Sequence, residues 1–372
     1  MRYYDIAIVG AGFAGLNMAH CISGQDIKVA VIEKRKTYPN IFRAEKIEAP
    51  QAAIMRELGT LQFRTPHTPP LGKTINISGG EVFEVDTVEQ YGISYSSTVN
   101  TLRQNLPSTV EMINQTVSKV IPGDSGTLLL DSGEELSAKL IVLACGLNAE
   151  LIDALKIERK EHTDLVSLSF GFDIKREDGA DFEFGGINYF LPDQLEKVQY
   201  ITVFPIGNRM RVNLFTQLSR SDELAQALRN DTLNTVDKLF PNLYDHLGKI
   251  VLDSRVQVMP TTYYKLVSQS TPGVVVIGDS FQSVSPATGS GLSKVLTDVK
   301  TLSKSYIPQW KNQRKISVDD IASYYKNQQK TVIDRRSLKS WFYSDYGSLE
   351  RMPILGRIKR FLQLYFRHGA RG

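Results

Sequence analysis

Short, wholly apolar runs mark the two ends of the chain, and longer stretches of period-two alternation fill its middle. Residues 6–9 form the first apolar run, the pattern of a parallel strand buried on both faces. The run breaks at Gly10-Ala11-Gly12-Phe13-Ala14-Gly15, resumes as a helical pattern over residues 16–22, and is followed by a second apolar run, 27–32, that ends on Glu33. This predicts strand, tight turn, helix, strand. Further on, the pattern predicts a helix over 49–58 closed by Gly59, an extended segment over 81–87 and a helix over 97–106. Strands are expected over 110–120 and 127–130, joined by a hairpin at 122–126, and a buried strand over 138–146. The middle third changes character: 165–174, 182–191, 197–206, 210–218 and 251–264 alternate, and one helical pair lies over 221–247. That is the signature of an antiparallel sheet. At 273–277 the first style returns, and a helix follows with Leu292, Val295, Leu296, Val299 and Leu302 on one face.

The glycines between these elements carry the chemistry. Gly10 would make the turn, Gly12 would let a pyrophosphate approach the backbone, and Gly15 would let helix pack on strand. Glu33, eighteen residues past Gly15, is placed to accept hydrogen bonds from an adenosine ribose. The spacing predicts a dinucleotide site and leaves NAD, NADP and FAD open. Lys34, Arg35 and Lys36 could lie beside the phosphates or form a solvated turn, and Arg43 could clamp a pyrophosphate bidentately. A second loop, Gly278-Asp279-Ser280 through Pro286, Gly289 and Gly291, also delivers glycines to a helix N-terminus without forming a second G-x-G-x-x-G. One dinucleotide gripped from both ends of the chain is the expectation.

Composition adds limits. With 372 residues, 42% of them hydrophobic, the chain can bury a large core in about two domains. A net charge of +4 is too mild to imply a nucleic-acid partner. Cys21 and Cys145 fall on a helix and a strand end, as core thiols do, and no metal-ligand spacing is present. The chain opens on its first strand without a signal-peptide pattern and has no run of eighteen apolar residues, so a cytoplasmic location is expected. The tail from Arg335 onward holds nine Lys or Arg against two acids. Its last expected helix, 354–366, is basic and amphipathic, and could contact an anionic membrane peripherally or pack on its own domain.

With both glycine loops in view, the chain resembles the class A flavoprotein monooxygenases, the para-hydroxybenzoate hydroxylase-like family, over residues 4–305. The resemblance implies FAD. Gly10, Gly12, Phe13, Ala14, Gly15, Glu33 and Lys34 would serve its adenosine half, Arg43 its phosphates, and Val117 the strand beside its adenine. Asp279 would bond the ribityl chain, while Pro286, Gly289, Gly291 and Leu292 match the family's G-D-A-x(5)-P-x-x-G-x-G-x-N loop at the flavin ring. The family's D-G-x-x-S-x-x-R motif is altered: Cys145 replaces its acid, Ala149 its serine and Ile152 its arginine. NADH, NADPH or a partner reductase therefore all remain open as the source of electrons.

The fold expected from the resemblance is α/β: an FAD-binding, glutathione-reductase-type Rossmann-like domain with an inserted antiparallel-sheet substrate domain and a C-terminal helical tail. The FAD-binding parts would be 1–75, 97–155 and 266–305; the substrate domain 76–96 and 156–265; the tail 306–372. The implied activity is hydroxylation or epoxidation of a small, hydrophobic organic molecule by O2 through a flavin C4a-hydroperoxide, with NADPH or NADH as a transient reductant. A reductase of lipid-like double bonds and a halogenase-like enzyme are the alternatives. No general acid or base is assigned; His67, Tyr189 and Arg211 are candidate substrate contacts.

Overall fold

The structure is a computed structural model that describes residues 1–43, 45–64, 69–161, 167–191, 197–267 and 271–345. Among these residues the chain is organised by a seven-stranded and an eight-stranded sheet, with smaller sheets of three and two strands. In the first, Arg2–Val9 lies between Val29–Ile32 and Glu135–Leu143, with Val110–Ile113 outside the former and Val274–Val276 against the latter, all parallel. The hairpin Val117–Ile121 and Gly126–Leu130 extends the sheet antiparallel. Alternation sorts the central strand between two cores. Ile6 and Ile8 pack with Leu16 and Met18 of helix Phe13–Ile22, whereas Ala7 and Val9 pack with Leu128 and Leu143 on the other face. Both faces are covered, which is why the strand reads as a continuous apolar run.

Two expected strands are interrupted. The run over 110–120 is not one strand: Val110–Ile113 and Val117–Ile121 sit at opposite edges of the sheet. The polar triplet Asn114-Gln115-Thr116 between them turns the chain, with Gln115 N–H donating to the Ile113 carbonyl at 3.1 Å. The run over 251–264 likewise divides into Ile250–Leu252, Gln257–Thr261 and Tyr264–Leu266. Ser254 in the first gap leaves the strand to accept a bond from Asp173 N–H at 2.8 Å.

The eight-stranded sheet runs Ile250–Leu252, Ser167–Arg176, Arg209–Thr216, Val198–Ile206, Gly186–Phe190, Thr74–Ser78, Glu81–Asp86, with Gln257–Thr261 also paired to Ser167–Arg176. Its pairs are antiparallel except Thr74–Ser78 on Gly186–Phe190, where an early segment joins the later sheet in parallel. The expected helical pair over 221–247 is three helices, Glu223–Asn230, Thr232–Leu239 and Leu243–Leu247, which cover one face of this sheet. Residues 354–366 lie outside the described residues. Among the described residues no helix is long and apolar enough to cross a membrane.

Helix Gln328–Asp345 packs on helix Gly291–Thr301 through buried charge. Lys330 Nζ lies 2.6 Å from Asp298 Oδ1 and 3.3 Å from Asp334, and Lys294 Nζ lies 3.2 Å from Asp298 Oδ2, all of them buried. Burial pushes the Asp298 carboxyl up, but Lys294 and Lys330 outweigh it and hold it below the ordinary carboxylate range. The cluster grips a turn: Gly278 N–H donates to Asp298 Oδ2 at 2.9 Å and the Gly278 carbonyl accepts from Lys294 Nζ at 2.9 Å. Asp298→Asn leaves the buried Lys294 ammonium without its carboxylate and Lys330 with Asp334 alone, and is expected to cost about 3–5 kcal/mol in urea unfolding at pH 7. Folding lowers this pKa, so the Asp298 contribution is fully present above about pH 4 and is lost as pH falls further. An Asn variant as stable as the parent at pH 7 would contradict the account.

Candidate functional site

The carboxyl ends of the parallel strands meet at one place. Gly10 N–H donates to the Ile32 carbonyl at 2.8 Å, Ala144 N–H to Val9 at 2.9 Å and Ile277 N–H to Leu143 at 3.0 Å. A cavity of about 420 Å³ opens there, within the size range of small-molecule sites. It runs from the Gly10–Ala14 turn to the loop holding Pro286, Gly289, Gly291 and Leu292, with the eight-stranded sheet along its side.

The glycines differ in what they face. Gly10 has φ +107°, and a Cβ there would stand 2.5 Å from the Ala144 carbonyl oxygen. A Cβ on Gly15 would stand 2.0 Å from the Gly10 carbonyl oxygen, so this position closes helix on turn. Gly12 has no atom within 4 Å of a would-be Cβ, so its backbone is open to the cavity. Helix Phe13–Ile22 begins there with no side chain capping its first turn, leaving N–H groups and the positive end of the dipole for an anion. Helix Gly291–Thr301, at the other end of the cavity, also starts without a side-chain cap.

Glu33 lines the cavity and is held by two backbone donors, Ala11 N–H at 3.1 Å and Arg35 N–H at 3.0 Å. Arg43 pairs with Asp279 at 3.1 Å in the cavity wall, which joins the segment after Glu33 to the second glycine loop. The second loop is braced by Ser280 Oγ, which donates to the Gly146 carbonyl at 2.9 Å, and by Tyr264 hydroxyl, which donates to the Asp279 carbonyl at 2.8 Å. Cys145 lines the cavity; burial pushes its thiol up to about 12, so it stays protonated, and Sγ donates to the Val9 carbonyl at 3.5 Å.

Several expected residues lie elsewhere. Lys34 does not line the cavity; Arg35 does, because the turn after Glu33 brings the second basic residue round. Val117 opens a strand of the antiparallel hairpin and is buried in the core away from the cavity. Tyr189 is on the wrong face of its strand. It packs edge-on against Phe240 at 5.1 Å and donates to the Pro241 carbonyl at 2.8 Å, one residue out of step with Asn188, whose Oδ1 meets cavity-lining Lys46 at 3.4 Å. Arg211 is not a lining residue; its Nε lies 3.1 Å from Glu45 and 3.3 Å from Asp173. His67 falls outside the described residues.

The lining residues that sequence reasoning missed lie mostly on the sheet: Ser169, Tyr200, Thr202, Asn213, Phe215 and Met259, with Glu45 beside them. Their alternation marked strands but not which face met a cavity. Glu45 is the notable member. Burial pushes its carboxyl up to about 7, opposed by Arg211 and Asn213 and reinforced by Asp173.

Two family models match the chain in tandem, one described as pyridine nucleotide-disulphide oxidoreductase over residues 4–168 and one as squalene epoxidase over 195–352. Squalene monooxygenase of Rattus norvegicus is 23% identical over 331 residues, covering 80% of this chain and 53% of that protein. The chain thus spans about half the length of this curated relative. Among solved structures, PqsL from Pseudomonas aeruginosa, described as a probable FAD-dependent monooxygenase, superposes with a TM-score of 0.74 at 17% identity over 94% of this chain and 97% of that one. The chain has the fold of the FAD-dependent monooxygenases. The p-nitrophenol 4-monooxygenase PnpA from Pseudomonas putida DLL-E4 gives a TM-score of 0.72 at 17% identity over 96% of this chain and 92% of that one.

The residues present suit the cofactor of this fold: an open Gly12 cradle, two uncapped helix starts, and an acid, Glu33, and an arginine, Arg43, in one cavity. In this flavoprotein fold Gly12→Ala is expected to leave the unfolding midpoint of the FAD-free protein within about 1 °C while weakening FAD retention, since its Cβ meets only cavity. Gly15→Ala should instead destabilise the fold by about 1–3 kcal/mol. Equal effects of both on thermal unfolding would show that Gly12 is structural.

Proposed function

We propose that this chain is an FAD-dependent monooxygenase that hydroxylates or epoxidises a small, hydrophobic organic substrate, with NADPH or NADH as a transient reductant. The observation that carries the reading is a single cavity shared by two glycine loops from opposite ends of the chain and walled by an antiparallel sheet. The reaction consumes substrate, O2, NAD(P)H and a proton, and yields the oxygenated product, water and NAD(P)+. FAD, when bound and reduced, supplies the activation of O2.

The chain's own groups would do the rest. Gly12 and the start of helix Phe13–Ile22 would hold the pyrophosphate, with Arg43 as its cation and Glu33 on the ribose. Asp279 would bond the ribityl chain, and Pro286, Gly289, Gly291 and Leu292 would seat the ring. Lys34 and Val117 leave this set and Arg35 enters it. The open end of helix Gly291–Thr301 would favour negative charge on the ring's pyrimidine. Tyr200, Phe204, Phe215 and Met259 would keep water from the reacting centre. In this reading residues 1–75, 97–155 and 266–305 form the FAD-binding part, 76–96 and 156–265 the substrate part and 306–372 the C-terminal region.

Purified protein is expected to be yellow and to consume NADPH or NADH and O2 only when an oxidisable substrate is present. A colourless protein that binds NAD in place of FAD would overturn the reading. The tail adds a second expectation, peripheral membrane contact through residues 354–366. The full chain should sediment with phosphatidylserine vesicles and a variant lacking 350–372 should not. Failure of the full chain to bind would end the membrane proposal alone.

A further inference from the structure

We propose that Glu45 is the substrate-anchoring residue of the cavity, its second carboxylate oxygen accepting a hydrogen bond from an O–H or N–H of the substrate. The proposal rests on the monooxygenase reading and assigns a residue to its substrate contact.

The Glu45 carbonyl accepts from Ile93 N–H at 2.7 Å, fixing the backbone just before strand Lys46–Glu48. Its side chain is 6% exposed and lines the cavity. Oε2 forms an ion pair with Arg211 Nε at 3.1 Å and, with the amide turned to satisfy both its partners, accepts from Asn213 at 3.1 Å. No described residue bonds to Oε1. One oxygen is thus anchored to the sheet, leaving the other for an incoming donor. Glu48 lines the same cavity, but its side chain is 44% exposed and faces Lys46 Nζ at 3.8 Å, which makes it a solvated pair.

The surroundings define what fits. Asn213 beside Glu45, with Ser169 and Thr202, puts polar groups on the cavity wall, while Tyr200, Phe215 and Met259 supply apolar surface. A hydrocarbon filling this space would strip water from Glu45 and Asn213 and return no hydrogen bond. A molecule with one O–H or N–H on an apolar body satisfies both. Such a site discriminates strongly against an analogue that lacks the donor, because the site's own polar groups are then unpaired.

The charge on Glu45 sets the pH dependence. Facing it are Arg211 and Arg209 from strand Arg209–Thr216 and Asp173 from strand Ser167–Arg176, with Lys46 next along its own chain. Burial leaves the carboxyl titrating at about 7, so it is mostly ionised at pH 8 and mostly protonated at pH 6. The ionised form accepts a donor bond more strongly.

The probes are 2-naphthol and 2-methylnaphthalene, which exchange a hydroxyl for a methyl on one framework, titrated calorimetrically into holoenzyme. At pH 8 the parent should bind 2-naphthol about tenfold or more tightly than 2-methylnaphthalene. That preference should shrink severalfold at pH 6. Glu45→Gln, which keeps size and shape, should lose most of the preference and all of its pH dependence. Glu45→Asp should restore the pH dependence. A parent without preference, or a Gln variant that keeps both preference and pH dependence, would overturn the anchor. Preference for 2-naphthol without flavin-dependent O2 uptake would refute the monooxygenase reading and support the anchor. Oxygen transfer with unchanged selectivity in the Gln variant would refute the anchor alone.

Discussion

One close backbone approach governs the site: the Gly10 turn lies against the end of strand Glu135–Leu143, where a single Cβ would meet the Ala144 oxygen at 2.5 Å. That approach lets the ends of Arg2–Val9, Val29–Ile32 and Glu135–Leu143 hydrogen-bond to one another and to the segment after Val274–Val276. The turn at Gly10 and Gly12 therefore offers main chain to the cavity where a pyrophosphate would lie. The eight-stranded sheet walls the cavity without supplying its floor. Helix Gln328–Asp345, remote in sequence, steadies the Gly278 turn through Asp298 and Lys330.

Two buried carboxylates answer the same problem in opposite ways. Asp298 has two ammonium groups and a backbone N–H, and the attraction exceeds the cost of burial. Glu45 shares one guanidinium with Asp173 and opens on the cavity, and burial wins. The first group is satisfied and structural. The second is left under-compensated where a ligand would sit, which is where a perturbed carboxyl has chemical use.

The two glycine loops and the middle sheet were legible because their signals are local: fixed spacing in one case, period two in the other. Boundaries failed where polar residues inside a strand-like run turned the chain, as at Asn114-Gln115-Thr116. Site residues failed where the answer depended on facing. Tyr189 and Asn188 are adjacent, but one points into the helical side and the other toward Lys46, and only sheet register decides which. Arg211 likewise does not reach the cavity and pairs with Glu45 from behind. The Lys294–Asp298–Lys330–Asp334 cluster spans two helices whose pairing no short-range pattern reveals.

The central claim is that one FAD is gripped at both ends, adenosine at Gly10–Glu33 and flavin at Asp279–Leu292. Calorimetric titration of the FAD-free protein with FAD, FMN and NAD tests it most directly. The account predicts one FAD per chain, with FMN at least a hundredfold weaker for want of the adenosine half and NAD weaker for want of the ring. Comparable binding of FMN, or tighter binding of NAD than of FAD, would contradict it.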